Sequence, residues 1–586
     1  MVESLDRGRV TVRALAARLR GISFHYWLLW VAPLAFLGVF YFYPLLNILV
    51  VSFGRGLGGL AAPFIEVFTT PSLLKILGFT FWQATLSTAL TLLFGLPGAY
   101  LLARYRLWGK NLILAMTGVS FVLPTLVVAT AFNAILGPRG WANLLLMQLF
   151  ALEQPPLHFV NTFGAILVAH VFYNTTIILR LVGDFWAHLD PRLGQAARVL
   201  GANTWQTLRR VTLPLLMPAI ASAAMLVFIF DFTSFGVILV LGGPRFATLE
   251  VEIYYQTISL FNLPLAAALS LIQLGCTLGL TVLYTRLNAN LARPLSLRPR
   301  QFTQRRLQSW RARLLAGLYL AVLLSLLTLP LVALLTRSLI RFDTLPGGAG
   351  GLTIQPTLDY YRELAVNRFN SLFYIPPITS IAISIGYASA TVLLALLLGL
   401  PAAWALAHNR QAASSQLFEP LLMLPLGTSA VTLGLGFIVA LDRPPLDLRA
   451  SPVLIPLAHT LVAFPFVVRS LTPALSSIKP RLRQAAALLG AKPGQVFRYI
   501  DLPLVGRALF VAAIFAFTIS LGEFGATALV ARPEYPTLPV MIYRFISQPG
   551  SLNYGKALAL SSILSLITAA GMLAIERFRI ADIGEF

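Results

Sequence analysis

The stretch Asp190-Pro-Arg-Leu-Gly-Gln-Ala-Ala-Arg-Val-Leu-Gly201, followed by Val211-Thr-Leu-Pro214, returns later as Lys479-Pro-Arg-Leu-Arg-Gln-Ala-Ala-Ala-Leu-Leu-Gly490 and Ile500-Asp-Leu-Pro503. A single shift of 289 positions relates the copies. It also carries Ala169-His170 onto Ala458-His459, Arg180 onto Arg469, Phe235-Gly236 onto Phe524-Gly525 and Ile253-Tyr254 onto Ile542-Tyr543. One constant shift over so long a stretch marks an internal duplication.

The local physics of each copy is the same. Pro191 or Pro480 suits a first helical turn, where a missing N–H costs nothing, and Gln-Ala-Ala continues with high helix propensity. Gly201 or Gly490 lets the chain leave helical geometry, and Leu213-Pro214 or Leu502-Pro503 opens the next apolar run. This predicts a short helix, a bend and a second helix. Ala196, Ala197, Ala485 and Ala486 keep its surface low, as close docking on another protein requires. An interfacial amphipathic helix is the alternative, but it does not call for the same spacing in two distant loops.

Outside these loops the chain is apolar. Of its 586 residues, 58% are hydrophobic and 11% charged, and mean hydropathy is +0.80. A water-soluble globule carries about 25% charged residues. Apolar runs near 26–53, 78–104, 111–137, 160–184, 215–243, 264–286, 314–336, 374–407, 414–441, 452–475, 508–531 and 557–576 are each long enough to cross a bilayer as a helix that satisfies its own backbone. The expected fold is an all-α integral membrane protein with about 12 transmembrane helices. Because six spans separate equivalent points, its two six-helix repeats should be parallel and related by a pseudo-two-fold along the membrane normal.

The net charge of +23 is compatible with nucleic-acid binding only if the basic residues share a soluble face. They fall instead in short segments between apolar runs. With the N-terminus inside, 31 of the 44 Lys and Arg lie on the inner side and 13 on the outer, so both termini are expected in the cytoplasm. No nucleic-acid partner is expected.

The domain reading is a cytoplasmic segment 1–25, a first repeat 26–287 with loop 185–214, a basic linker 288–313, a second repeat 314–576 with loop 476–503, and a tail 577–586. The arginines from Arg7 to Arg20 resemble a signal-peptide front, but the run after them is too long for a signal core and is expected to stay as the first span. Cys276, the only cysteine, reads as packing.

Ala-Ala, three residues, Gly, nine residues and Ile/Val-x-Leu-Pro resembles the Glu-Ala-Ala loop of permease subunits of type I binding-protein-dependent ABC importers. The fused, two-repeat permeases for thiamine and ferric iron are most similar, through Phe81-Trp82-Gln83-Ala84, Ala169-His170-Val171-Phe172 and Leu241-Gly242-Gly243-Pro244. The resemblance implies a bacterial or archaeal plasma membrane, an extracytoplasmic solute-binding protein, and two copies of a cytoplasmic ABC ATPase gripping Gln195, Ala196, Ala197, Gly201, Leu213 and Pro214 and their counterparts Gln484, Ala485, Ala486, Gly490, Leu502 and Pro503. ATP and Mg would bind those ATPase subunits. This chain is expected to bind no cofactor or metal and to catalyse nothing; its Gly109-Lys110 and Gly555-Lys556 lack a phosphate-cradling loop. One departure is plain: the family's Glu is Gln195 and Gln484 here. That exchanges a charge-assisted contact for a neutral one.

Ionisable groups inside spans cost about 2.5–3.5 kcal/mol on insertion scales and point to function or to specific pairing. Asp231, Glu523, His170 and His459 qualify, with Ser234 matching Glu523 under the repeat. Lined also by Phe232, Phe235 and Phe524, they form a candidate path for a cationic solute; pairing that fixes the bundle is the competing reading, favoured for the histidines. Pro97, Pro124, Pro401 and Pro425 are expected to bend their helices. A proton-coupled secondary carrier is the alternative function, but it has no need of a doubled docking loop. A membrane enzyme would need a motif such as H-E-x-x-H or Gly-x-Ser-x-Gly, which the sequence lacks.

Overall fold

The computed structural model describes residues 24–54, 62–291, 304–344, 352–367, 375–408, 413–442, 444 and 446–578. The N-terminal arginines, Arg293, Arg298 and Arg300 of the linker, and the tail beyond Phe578 lie outside them. The described chain is helical almost throughout, with one antiparallel hairpin that pairs Ile340–Thr344 with Leu352–Pro356. Among the described residues ten helices are long and apolar enough to cross a membrane, or up to 12 if two bent pairs each count as a span. The expected all-α membrane fold is what the chain adopts.

The bent pairs correct two expected spans. Run 111–137 is two helices, Lys110–Val122 and Thr125–Leu136, parted at Leu123-Pro124, and the first is bent by 108° from the stretch Thr125–Phe150. Run 414–441 is bent by 97°, with Pro425 in the tight turn Leu424–Gly427 and a fresh helix Ala430–Ala440. Proline removes a hydrogen bond and pushes the preceding residue to extended geometry. Leu123 accordingly has ψ 137°. After the second bend Ser429 restarts the helix, its hydroxyl accepting from the N–H groups of Val431 and Thr432.

Pro97 and Pro401 behave differently from expectation, because helices Pro71–Arg104 and Thr379–His408 run through them unbroken. Neighbouring groups in a membrane bundle can take up freed backbone. At this turn the Tyr319 hydroxyl donates to Phe94 O at 2.8 Å. The expected spans 215–243 and 508–531 are also interrupted: Leu213–Phe232 is followed by a separate Gly236–Leu241, and Leu502–Gly522 by Gly525–Val530.

The chain packs as two compact units, each drawing on both halves of the sequence. One holds the described residues up to Val51, Thr379–Thr537, and those from Ala570; the other holds Ser52–Ile378 and Leu538–Ala569. In the first unit the N-terminal helix packs on second-repeat helices: Trp30 is buried against Phe418, and Tyr41 and Thr428 share a 2.6 Å hydrogen bond. A Cβ on Gly436 would come within 2.9 Å of Pro44 Cβ, so glycine permits that close crossing. In the other unit Ser561, from the second repeat, donates to Thr130 of the first at 3.1 Å.

The duplication is visible in contacts as well as residues. A Cβ on Gly95 would meet Ile178 Cβ at 2.7 Å, and one on Gly399 would meet Val467 Cγ1 at 2.7 Å. Gly399 lies 304 positions after Gly95, whereas Val467 lies 289 after Ile178. Extra chain in the first repeat, including helix Trp141–Phe150, accounts for the changed shift.

Candidate functional site

Helices Pro191–Val199 and Pro480–Leu488 stand at the shift of 289, each with its proline in the first turn and no buried residue. Gly201 and Gly490 have φ of +89° and +82°, a left-handed conformation that glycine adopts without Cβ cost. Asn203 and Lys492 then open a second turn, each donating its N–H to the side chain of a glutamine three residues on, Gln206 and Gln495. The chain passes through matched π-helical turns, Leu208–Thr212 and Phe497–Asp501, into the long helices that begin at Leu213 and Leu502.

The outer faces also correspond. Gln195, Ala196, Gln484 and Ala485 are exposed, while Ala197 and Ala486 are half-buried. Val199 and Leu200 are each 87% exposed, and Leu488 and Leu489 each 89%. Four aliphatic side chains left this bare at the ends of polar helices are suited to docking.

The two loops are braced differently. Arg483 Nε donates to Asp501 Oδ1 at 2.7 Å, and Trp404 Nε1 lies 3.5 Å from Oδ2. Asp501 is buried, so the second coupling helix is tied by an ion pair to the base of Leu502–Gly522. The matching residues of the first loop are Gly194 and Thr212, which cannot form that tie.

The structure gathers the in-span ionisable residues into two clusters, one in each unit. His170 Nδ1 lies 2.9 Å from Ser87 Oγ and 3.3 Å from Asp231 Oδ1, and its Nε2 lies 2.9 Å from Ser234 Oγ. Asn174 donates to Asp231 Oδ1 at 2.7 Å. In the second repeat His459 Nδ1 lies 2.7 Å from Ser520 Oγ, and its Nε2 lies 2.8 Å from Thr527 Oγ1 and 3.2 Å from Glu523 Oε2. Ser520 is the counterpart of Asp231, and Glu523 of Ser234. At these two repeat-matched positions each histidine therefore meets one acid and one serine, with the positions exchanged.

Glu523 does a second thing that Asp231 does not. Its carboxylate accepts from the N–H groups of Ala526 at 2.8 Å and Thr527 at 3.1 Å, and from the Thr527 hydroxyl. It thus caps Gly525–Val530, where a negative charge is favoured by the helix dipole. Both acids and both histidines are buried. Phe232 is buried against Phe81 and Phe228, Phe235 against Tyr254, and Phe524 is buried too; Ser234 is half-buried.

One set of residues escaped the sequence reading. The Tyr254 and Tyr543 side chains, equivalent under the repeat, hydrogen-bond to each other within one compact unit, with Tyr255 alongside. Burial, and then Tyr543 beside it, pushes the Tyr254 phenol above its ordinary range. Their identity as a repeated Ile-Tyr pair was the available signal, since residues related by a two-fold can touch only beside its axis.

Residues 92–296 match the family described as binding-protein-dependent transport system inner membrane component. The Escherichia coli thiamine transport system permease protein ThiP is 28% identical over 84% of this chain and 87% of its own, and its Brucella abortus namesake 29% identical over 86% and 87%. Residues 92–296 thus carry the inner-membrane domain of binding-protein-dependent importers, and over most of its length the chain is similar to thiamine permeases. In this permease the family match ends before the second repeat, which the shift of 289 identifies as another copy, so the subunit is the fused, two-repeat form. It is a transport subunit, a multi-pass inner-membrane component of a kind of importer that works with ATPase and binding-protein partners. A solved bacterial ABC transporter involved in import of the acidic polysaccharide alginate aligns at a TM-score of 0.38 and 18% identity, over 46% of this chain and 96% of its own.

Proposed function

We propose that this permease moves thiamine or a closely similar organic cation inward, with both termini and both coupling helices in the cytoplasm. Two copies of one ABC ATPase grip the helices Pro191–Val199 and Pro480–Leu488, and ATP with Mg is bound by those subunits. The doubling of one exposed helix-bend-helix at a constant shift carries this reading, because a repeated surface fits a repeated partner. The names of the similar permeases favour thiamine over ferric iron.

The solute passes the tyrosines Tyr254, Tyr255 and Tyr543, whose π faces suit a cation. Phe235 packs on Tyr254 within the same unit. In one unit Asp231 lies beside the break after Phe232, and in the other Glu523 caps the helix after the break at Gly522, each acid engaged by a histidine. Closure of the ATPases biases the permease between inward-open and outward-open states, and hydrolysis resets it.

The test is uptake into proteoliposomes containing the permease and its co-purified ATPase, with binding protein and thiamine outside and ATP inside. ATP-dependent accumulation is expected. Uptake that ignores ATP and collapses with a proton gradient would overturn the reading.

A further inference from the structure

Beside the first coupling helix lies a cavity of about 1090 Å³, walled by helices Pro71–Arg104 and Leu213–Phe232 and by the loop itself. Its polar end carries Arg104, Arg198, Arg209 and Arg305, and its lining includes no carboxylate. Among the described residues none of the four guanidiniums has an ion-pair partner. The backbone holds Arg305 in place: its N–H donates to Arg104 O at 2.8 Å, and its carbonyl accepts from Arg106 at 3.0 Å. The other end is apolar, with Leu92, Leu93, Leu96, Leu213, Leu216 and Ile220 on helices long and apolar enough to cross a membrane. Leu93 is 73% exposed.

The second repeat shows what the same place looks like when the protein fills it. There Arg483 and Asp501 form their ion pair, and Trp404 stacks on His408 with ring centroids 4.0 Å apart. The counterparts are Gly194, Thr212, Tyr100 and Arg104. The first repeat thus lacks both the filling arginine and the neutralising acid, yet keeps a cluster of cations that repel one another.

We infer that this cavity binds an anionic phospholipid, its phosphate held by the arginines and its acyl chains lying along the leucines. Guanidinium groups pair with phosphate oxygens through charge-assisted, often bidentate hydrogen bonds. Basic pockets between spans at the inner membrane face suit such headgroups. A free inorganic phosphate would satisfy the arginines but leave the apolar half of the cavity without an occupant. The bound lipid supplies the negative charge that Asp501 supplies in the other repeat, and so braces the first coupling helix.

The test uses the full chain with its ATPase, purified from membranes containing phosphatidylglycerol, and native mass spectrometry to count retained lipid. Wild type should keep one phosphatidylglycerol that R198Q/R209Q loses, with about thirtyfold weaker retention at roughly one kcal/mol per arginine. The variant G194R/T212D, which builds the second repeat's ion pair into the first, should also expel it. R498Q, the counterpart of Arg209 in the filled site, should keep it. Equal lipid counts in all four proteins would overturn the inference, as would displacement of the lipid by millimolar inorganic phosphate. Unchanged lipid with loss of the ATPase from R198Q/R209Q would place a partner's acidic side chain in the cavity instead and equally overturn it.

Discussion

The two coupling loops share a backbone plan and differ in what holds it. Helix length, the left-handed glycine and the π-turn into the long helix recur at one shift, while the Arg483–Asp501 tie exists only in the second. A duplicated plan is what the proposed repeated partner would need. Bracing can be met in more than one way, so it has diverged. The acid clusters teach the same lesson: each histidine keeps an acid and a serine, but the acid stands at position 231 in one repeat and at 523, the counterpart of 234, in the other.

The largest effect should come from breaking the brace. Asp501→Ala leaves Arg483 with no acidic partner, only the Leu475 carbonyl at 3.4 Å, and removing one member of a buried pair costs about 3–5 kcal/mol. Because the Arg483 side chain is 21% exposed and can turn to water, a loss of about 2–3 kcal/mol is expected here. Thermal unfolding of the detergent-solubilised subunit should show it, and Thr212→Ala in the first loop should stay within about 0.5 kcal/mol of wild type. Equal losses in the two loops would end the claimed asymmetry.

The next effect should be the same in both loops. Nothing lies within 4 Å of a Cβ at Gly201 or Gly490, so the cost of alanine there is backbone strain alone. A left-handed alanine costs about 1–2 kcal/mol. Gly201→Ala and Gly490→Ala should therefore weaken co-purification of the ATPase to a similar extent, with asparagine at either place restoring part of it. A large difference between them would mean that only one loop carries the partner.

How far the sequence alone reaches can be judged from these same residues. Spans, loops and the glycine bends were legible because hydropathy and φ requirements are local. Bends at Pro124 and Pro425 were legible from the prolines, but not their size, since the apolar run continues on both sides and hydropathy does not register direction. Nor were the unbroken courses through Pro97 and Pro401, because a proline's effect depends on which neighbour takes up the freed backbone. His170, Asp231, His459 and Glu523 could be singled out as costly in a bilayer, but their pairing spans about sixty residues of chain and only tertiary structure brings it about. Tyr254 and Tyr543 stood in plain view as a repeated pair; that they touch required the fold.

A smaller effect separates the two acids. Glu523→Gln keeps an oxygen that can accept from Ala526 but removes the charge facing His459 and the helix dipole. Uptake should fall about fivefold, or roughly 1 kcal/mol, with ATPase retention unchanged. Asp231→Asn caps no helix and should lower uptake less. Unchanged uptake in Glu523→Gln would remove that residue from any part in transport, and a greater loss in Asp231→Asn would reverse the ranking of the two sites.

The smallest effect returns to the coupling helices, where glutamine stands in both copies at the position for which the loop resemblance implies an acid. Gln195 and Gln484 are exposed, so a carboxylate there would meet an ATPase cation in high dielectric, where a neutral contact and a charged one differ by about 0.5–1 kcal/mol. Gln195→Glu and Gln484→Glu should each slow loss of the ATPase about two- to fivefold at low salt, with the gain fading as ionic strength rises. A gain that survives high salt would show that the contact is buried on docking. A gain at Gln484 alone would mean that a helix held by Arg483 and Asp501 can use the added charge, whereas one left to Gly194 and Thr212 is too loosely placed to do so.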